Sequence, residues 1–166
     1  IYTSGSTGTP KGVSISKHAL INFMNGMIEK IDFVEGGKIA CLTSCSFDIF
    51  FLESIMALHE GLKVYLANEQ QAQNPLKGIR LISDNHIEFL QITPSRMQQY
   101  INCDNNLEFL KSIKTLMIGG EELQRALLMM LQEKTCCKIY NMYGPTETTI
   151  WSTIGDVTNS SYVHVG

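Results

Sequence analysis

Apolar residues recur at three- and four-residue intervals behind Ser16, at Leu20, Phe23, Met24, Met27 and Ile28. That spacing lines up one face of a helix and predicts one over about residues 17–29, with Ser16 as its cap. The period then changes. Short apolar runs over 38–43, 62–67, 87–92, 114–118 and 138–142 predict buried strands. Between them, residues 47–59, 75–83, 94–101 and 123–132 read as helices. The 47–59 segment is apolar around most of its circumference, which predicts a buried helix ended by Gly61. Pro94 sits where a helix favours proline, and Leu123, Leu127, Met130 and Leu131 share one side of the last helix. Strands alternating with helices of this length predict an α/β fold, a largely parallel sheet flanked by helices. The polar stretches 68–75 and 103–107 read as surface loops, and no repeat or low-complexity tract is found.

Composition narrows the class. The chain has 166 residues and is 44% hydrophobic, enough for a core and too much for disorder. Its 13 basic and 16 acidic residues are scattered without runs, giving a net charge of -3. Nothing in that distribution suits nucleic acid or an anionic membrane, so a small-molecule substrate or a protein partner is expected. No apolar run reaches the ~18 to 20 residues of a membrane span, and the first residues lack the features of a signal peptide. The five cysteines are odd in number and show no C-x-x-C spacing. Free, mostly buried thiols in a reducing cytoplasm are expected, with no structural zinc. The sequence has no initiator Met and opens inside a glycine-rich motif, so both ends are expected to be cut from a larger protein.

Ligands of parallel sheets bind beyond the carboxyl ends of the strands, and three chemically suggestive segments fall there or in a glycine-rich turn. The first runs from Tyr2 to Gly12, Y-T-S-G-S-T-G-T-P-K-G. Glycines let backbone N–H groups approach an anion, hydroxyls donate to phosphate oxygens, and Lys11 adds a compact positive charge. An ordinary glycine-serine turn has the same composition, and Gly12 after Lys11 departs from the usual nucleotide P-loop. The second, Ser46 to Glu53, sets Asp48 at the start of an apolar helix. Asp48 either complements the positive helix end or waits for a ligand's ammonium group. The third, Asn141 to Thr149, combines a Gly144-Pro145 turn with the flat ring of Tyr143, the Thr146 hydroxyl and the Glu147 carboxylate, which suits magnesium on phosphate oxygens. Gly119-Gly120-Glu121 is either a capping turn or a place where the chain passes closely over a flat ligand.

Together these segments resemble, in order and spacing over nearly the whole chain, the core motifs of the adenylate-forming enzymes. Phe47-Asp48 is similar to the motif of nonribosomal peptide synthetase adenylation domains, where the aspartate meets the ammonium of an α-amino acid. The resemblance implies ATP-dependent formation of an aminoacyl adenylate, with Mg2+, followed by loading onto the phosphopantetheine thiol of a peptidyl carrier protein alongside condensation domains. It assigns Thr3, Ser4, Gly5, Ser6, Thr7, Gly8 and Lys11 to the phosphates and Gly119, Gly120, Glu121, Asn141, Tyr143 and Gly144 to the adenine side. Thr146 falls to the α-phosphate and Glu147 to the metal, so that Thr3, Lys11, Thr146 and Glu147 form the catalytic set.

The same resemblance gives an amino-acid pocket of Asp48, Ile49, Leu52, Gln91, Met117, Gly119, Met142, Ile150 and Trp151. This set is similar to that of glycine-activating domains, with Met117 and Met142 in place of leucines, a nearly volume-conserving exchange. Ile150 and Trp151 at the pocket floor imply selection of glycine by exclusion, with some leak to alanine. The ribose-binding aspartate, the catalytic lysine and the small C-terminal lobe of the family have no counterpart in the 166 residues, so the piece alone is expected to be inactive. Two alternatives stand beside this reading. One is an acyl- or aryl-acid CoA ligase of the same superfamily, and the other a nucleotide-binding module without catalysis.

Overall fold

The computed structural model describes residues 1–3 and 8–166. A short antiparallel hairpin, β1 (Tyr2–Thr3) with β2 (Lys11–Gly12), leads into α1 (Lys17–Lys30), whose N-terminus is capped by Ser16 Oγ accepting from the Ala19 N–H. The body is a six-stranded sheet of β3 (Lys38–Cys41), β4 (Lys63–Leu66), β5 (Phe89–Ile92), β6 (Thr115–Gly119), β7 (Lys138–Tyr143) and β8 (Thr153–Asp156). Its spatial order is β4-β3-β5-β6-β7-β8. The first five strands are parallel, as the alternating pattern predicts, and β8 adds an antiparallel edge.

Alternate residues of each strand serve two cores. Leu90, Ile92, Leu116, Ile118 and Ile139 face one side, under α5 (Pro75–Asp84), α6 (Pro94–Cys103) and α7 (Arg125–Lys134). Ile39, Phe89, Met117, Tyr140 and Met142 face the other, under α1 and the segment after Asp48. That parity carries the site. Gln91, Met117, Gly119 and Met142 share the second face, and the register sets Gln91 beside Met117 and Gly119 beside Met142. Capping fixes where the crossovers begin: Asn74 accepts from the Lys77 N–H, Thr93 accepts from the Arg96 N–H, and a proline opens each of these helices.

Several expectations need correction. The 47–59 segment is not a uniformly buried α-helix. It starts as α2 (Ile49–Phe51), widens to a π-turn over Leu52–Met56 and closes as α3 (Ala57–His59). Leu52, Glu53, Met56 and Ala57 are buried against the sheet, whereas Phe47, Ile55 and Leu58 are exposed among the described residues. The stretch 68–75 is not a loop, because Asn68 and Gln71 form a reciprocal capping box that starts α4 (Glu69–Gln73). Leu107, expected at the surface, is buried with a left-handed backbone before the 3-10 turn Glu108–Leu110. The thiols are not mostly buried either: Cys41 and Cys137 are, and Cys45, Cys103 and Cys136 are exposed. Among the described residues no helix is long and apolar enough to cross a membrane.

Candidate functional site

The carboxyl ends of the parallel strands open onto several cavities, the most voluminous of them, about 760 Å³, over Leu42, Thr43, Ala67 and Thr93. Two others are bordered by consecutive residues, Ile150 on one and Trp151 on the other. The larger of these two, about 550 Å³, is lined by Gly120, Glu121, Asn141, Tyr143, Gly144 and Trp151 together with Val163 and His164. Tyr143, the last residue of β7, is more than half exposed and lines this cavity. Asn141 is buried, and its Nδ2 donates to the His164 carbonyl at 2.9 Å, which ties the 163–165 segment over β7. Glu121 Oε2 accepts from the Ser95 N–H at 3.0 Å and from the Ser95 hydroxyl, so this carboxylate also serves the N-terminus of α6.

The smaller cavity, about 250 Å³, brings Asp48, Thr146 and Ile150 together with Phe51, Leu20 and Lys17 and with Ile1 at the foot of the hairpin. Asp48 occupies the N-cap position of α2, yet its side chain makes no capping hydrogen bond, and no ion pair to it is found among the described residues. On the hairpin, Thr3 and Lys11 are direct cross-strand partners and therefore share a face. Ser4, Gly5, Ser6 and Thr7, the rest of the expected phosphate loop, lie outside the described residues. Gly8, which follows them, has φ +80°.

Between the cavities the packing is tight. A Cβ added at Gly119 would stand 2.6 Å from the Met142 carbonyl oxygen and 2.8 Å from the Trp151 ring, so only glycine fits. Gly119 is thus part of the packing beneath Trp151, and of the pair only Gly120, with φ +85°, lines the cavity wall. Leu52, Met117, Met142, Ile150 and Trp151 form one buried cluster with Ile49 against it. Gln91 and Trp151 bring buried N–H groups, Nε2 and Nε1, that find no partner among the described residues. Thr149 and Ile150, both β-branched and buried, have φ of 71° and 65°, a strained conformation of the kind that clusters at functional sites.

Glu147 lies exposed on the 3-10 turn Thr146–Thr148, and among the described residues no group of His, Cys, Asp and Glu is arranged to hold a metal alone. A single exposed carboxylate fits a hard divalent cation whose other oxygen ligands come from phosphate and water. The cavity with Tyr143 likewise fits a flat base of nucleotide size.

Three residues escaped the sequence reading. Glu53 is fully buried, and burial pushes its carboxyl up to about 7 against the pull of the Thr43 and Leu42 donors. Arg96 donates to the Leu42 carbonyl at 3.2 Å, and His164 lines the larger cavity. Glu53 was readable as an acid inside an apolar helix face; the other two carry no local signal.

Comparison with known proteins bears on the family and the fold. The AMP-binding enzyme family matches residues 1–166. The chain is 37% identical over 152 residues to a dimodular nonribosomal peptide synthase of Bacillus subtilis, covering 92% of this chain and 6% of that protein. Among solved structures it resembles holo-AB3403, a four-domain nonribosomal peptide synthetase bound to AMP and glycine, with a TM-score of 0.86 and 29% identity over all of this chain and 12% of that one. The adenylation domain AlmE of Vibrio cholerae, in complex with glycyl-adenosine-5'-phosphate, has the same fold, with a TM-score of 0.86 and 23% identity over 99% of this chain and 31% of that one. The chain spans a small part of each relative, and it belongs to the AMP-binding enzyme family.

Proposed function

We propose that the protein carrying this chain activates an amino acid, with glycine preferred, as its adenylate for nonribosomal peptide synthesis. The observation that carries the reading is Asp48, a carboxylate without capping bond or ion pair among the described residues, in one cavity with Thr146 and Ile150. In this reading Asp48 holds the substrate ammonium, which leaves the substrate carboxylate free to attack the α-phosphate of ATP. The bond from the α-phosphorus to the bridging oxygen breaks, and pyrophosphate leaves. The Thr146 hydroxyl donates to the α-phosphate, while Thr3, Ser4, Ser6, Thr7 and Lys11 hold the departing phosphates. Tyr143, Gly120, Glu121, Asn141 and Gly144 seat the adenine and orient the α-phosphorus. Mg2+ on Glu147 supplies charge neutralisation at the phosphates.

In this reading glycine is favoured because Met142, Ile150 and Trp151 pack in one buried cluster. Met142 and Trp151 lie so close over Gly119 that not even a Cβ fits there, which leaves little room for a substrate side chain. The glycine and AMP in the solved relative support the same choice. Transfer of the product to a phosphopantetheine thiol of a peptidyl carrier protein, beside condensation domains in the cytoplasm, completes the proposal.

The test is amino-acid-dependent exchange of labelled pyrophosphate into ATP by the full-length protein, over glycine, alanine, serine and larger amino acids. Exchange dominated by glycine is expected, and Asp48→Asn should lower kcat/KM for glycine by roughly a hundredfold, as loss of one partner of an ion pair enclosed by the bound ligand does. Exchange driven by carboxylic acids that lack an amino group, indifferent to Asp48→Asn, would overturn the reading.

A further inference from the structure

The amino-acid reading uses Asp48 and leaves a second acid of the same segment unexplained. Glu53 is wholly inaccessible, and no cation pairs with it among the described residues. A carboxylate buried in this way is expensive, and apolar residues of similar volume would pack the helix better. Its hydrogen bonds show where it acts. Oε2 accepts from the Leu42 N–H at 2.8 Å and the Thr43 N–H at 2.9 Å, and Oε1 accepts from the Thr43 hydroxyl at 2.7 Å. All three end on the two residues that follow β3, where the strand gives way to the segment leading to Asp48.

We propose that Glu53 is a positioning residue for amino-acid binding, clamping the end of β3 so that Asp48 stands at a fixed place over the sheet; this rests on the amino-acid reading above. The clamp is closed from both sides, because Arg96 of α6 holds the Leu42 carbonyl while Glu53 holds the neighbouring N–H groups. Beyond Thr43 the turn that leads to Asp48 carries hydrogen bonds of its own. The Ser44 and Ser46 hydroxyls bond at 2.9 Å, the Phe47 N–H donates to the Ser44 carbonyl, and the Phe51 N–H donates to the Asp48 carbonyl. The π-turn over Leu52–Met56 is the local device. Such turns recur at functional sites, and this one contains Glu53, which reaches back from the helix to the strand end. Glu53 therefore staples the helix that bears Asp48 to the strand next to the one that bears Gln91.

The test separates positioning from simple support of the fold by comparing substrates in pyrophosphate exchange with the full-length protein. Glu53→Leu removes the acceptors and should raise KM for the amino acid by at least about tenfold while KM for ATP stays within about twofold. Glu53→Gln should restore the amino-acid KM, because its amide oxygen accepts both N–H groups and its NH2 donates to Thr43 Oγ. Thr43→Val, a milder change that removes the hydroxyl bond alone, should raise the same KM by about threefold. It decides the matter if Glu53→Leu fails to fold, an unchanged KM then refuting the clamp. Parallel rises in both KM values, an unchanged amino-acid KM in folded Glu53→Leu, or failure of Glu53→Gln to rescue would each overturn the proposal. Unmodified protein that exchanges with no amino acid would instead remove the substrate reading itself, and that control is read first.

Discussion

Replacing Trp151 by leucine tests the filled-pocket argument most directly. Trp151 is almost fully buried, its ring lies 2.8 Å from where a Cβ on Gly119 would stand, and its indole nitrogen has no partner to lose among the described residues. A buried tryptophan removes ~150–250 Å² from water, and leucine buries roughly 100 Å² less. At about 25 cal/mol per Å² the exchange costs about 2–3 kcal/mol of stability. The space released lies over Gly119 and beside Ile150, where the proposed substrate side chain would point. One methylene of selectivity is worth about 1–3 kcal/mol, so the preference for glycine over alanine should fall at least about tenfold and valine should begin to be activated. Pyrophosphate exchange across the three amino acids gives the ratio, and urea unfolding gives the stability. A folded Trp151→Leu protein with the original ratio would refute the placement of Trp151 at the pocket floor.

Other consequences are simpler to measure. The Glu53 carboxyl is pushed up to about 7 in the fold, so from its ordinary value near 4.5 up to about 7 the native state holds a proton that the unfolded chain has released. Stability should therefore fall as pH rises through that window, by on the order of 3 kcal/mol, and level off above it. Urea unfolding of unmodified and Glu53→Gln protein at a series of pH values isolates this slope, which the variant should lack. The Tyr100 hydroxyl is buried without a partner among the described residues, and Tyr100→Phe should raise Tm by about 2–4 °C by removing a desolvated polar group. In native protein the exposed Cys45, Cys103 and Cys136 should react promptly with a thiol reagent. Cys41, pushed up to about 12 by burial and by Glu53, and the buried Cys137 should react only after denaturation.

The body of this fold was legible because its signals are local and periodic. Five strands and their parallel order follow from apolar runs alternating with capped helices, and Ser16, Pro75 and Pro94 mark helix starts where they are found. The capping box at Asn68 and Gln71 was also readable, but five residues without apolar periodicity do not announce a helix. What stayed hidden depends on partners distant in sequence. The π-turn at Leu52–Met56 contains Glu53, whose partners Leu42 and Thr43 lie ten or eleven residues earlier. Edge strand β8 exists because Tyr143 and the residues before it offer a free ladder, a fact about sheet order and not about residues 153–156. For the site, the motifs named Asp48, Tyr143, Thr146 and Glu147, but only the packing divides their residues between two cavities and turns Gly119 into a floor for Trp151.

Two of the left-handed non-glycine residues, His86 and Leu107, lie away from the site, but other irregular backbone gathers around it. The π-turn, the left-handed Gly120 and the strained pair Thr149-Ile150 all surround the Trp151 cluster at the carboxyl ends of the strands. Strained residues of this kind cost about 1–3 kcal/mol each, and they persist only where surrounding structure dictates them. The opposite face of the sheet provides that surrounding structure. There Leu90, Ile92, Leu116, Ile118 and Ile139 pack in regular strands against three well-capped or amphipathic helices. One face of the sheet thus supplies ordinary stability, and the other, read through the same strands at alternate residues, carries a methionine-rich cluster of Met117 and Met142 around a tight glycine. Methionine adapts its shape to irregular neighbours, which suits the irregular side of the sheet, whereas the better-defined shapes of leucine and isoleucine suit the regular face. The consequence is directional: substitutions on the Leu116 face should change stability and spare the substrate ratio, and conservative ones on the Met117 face should change the ratio first.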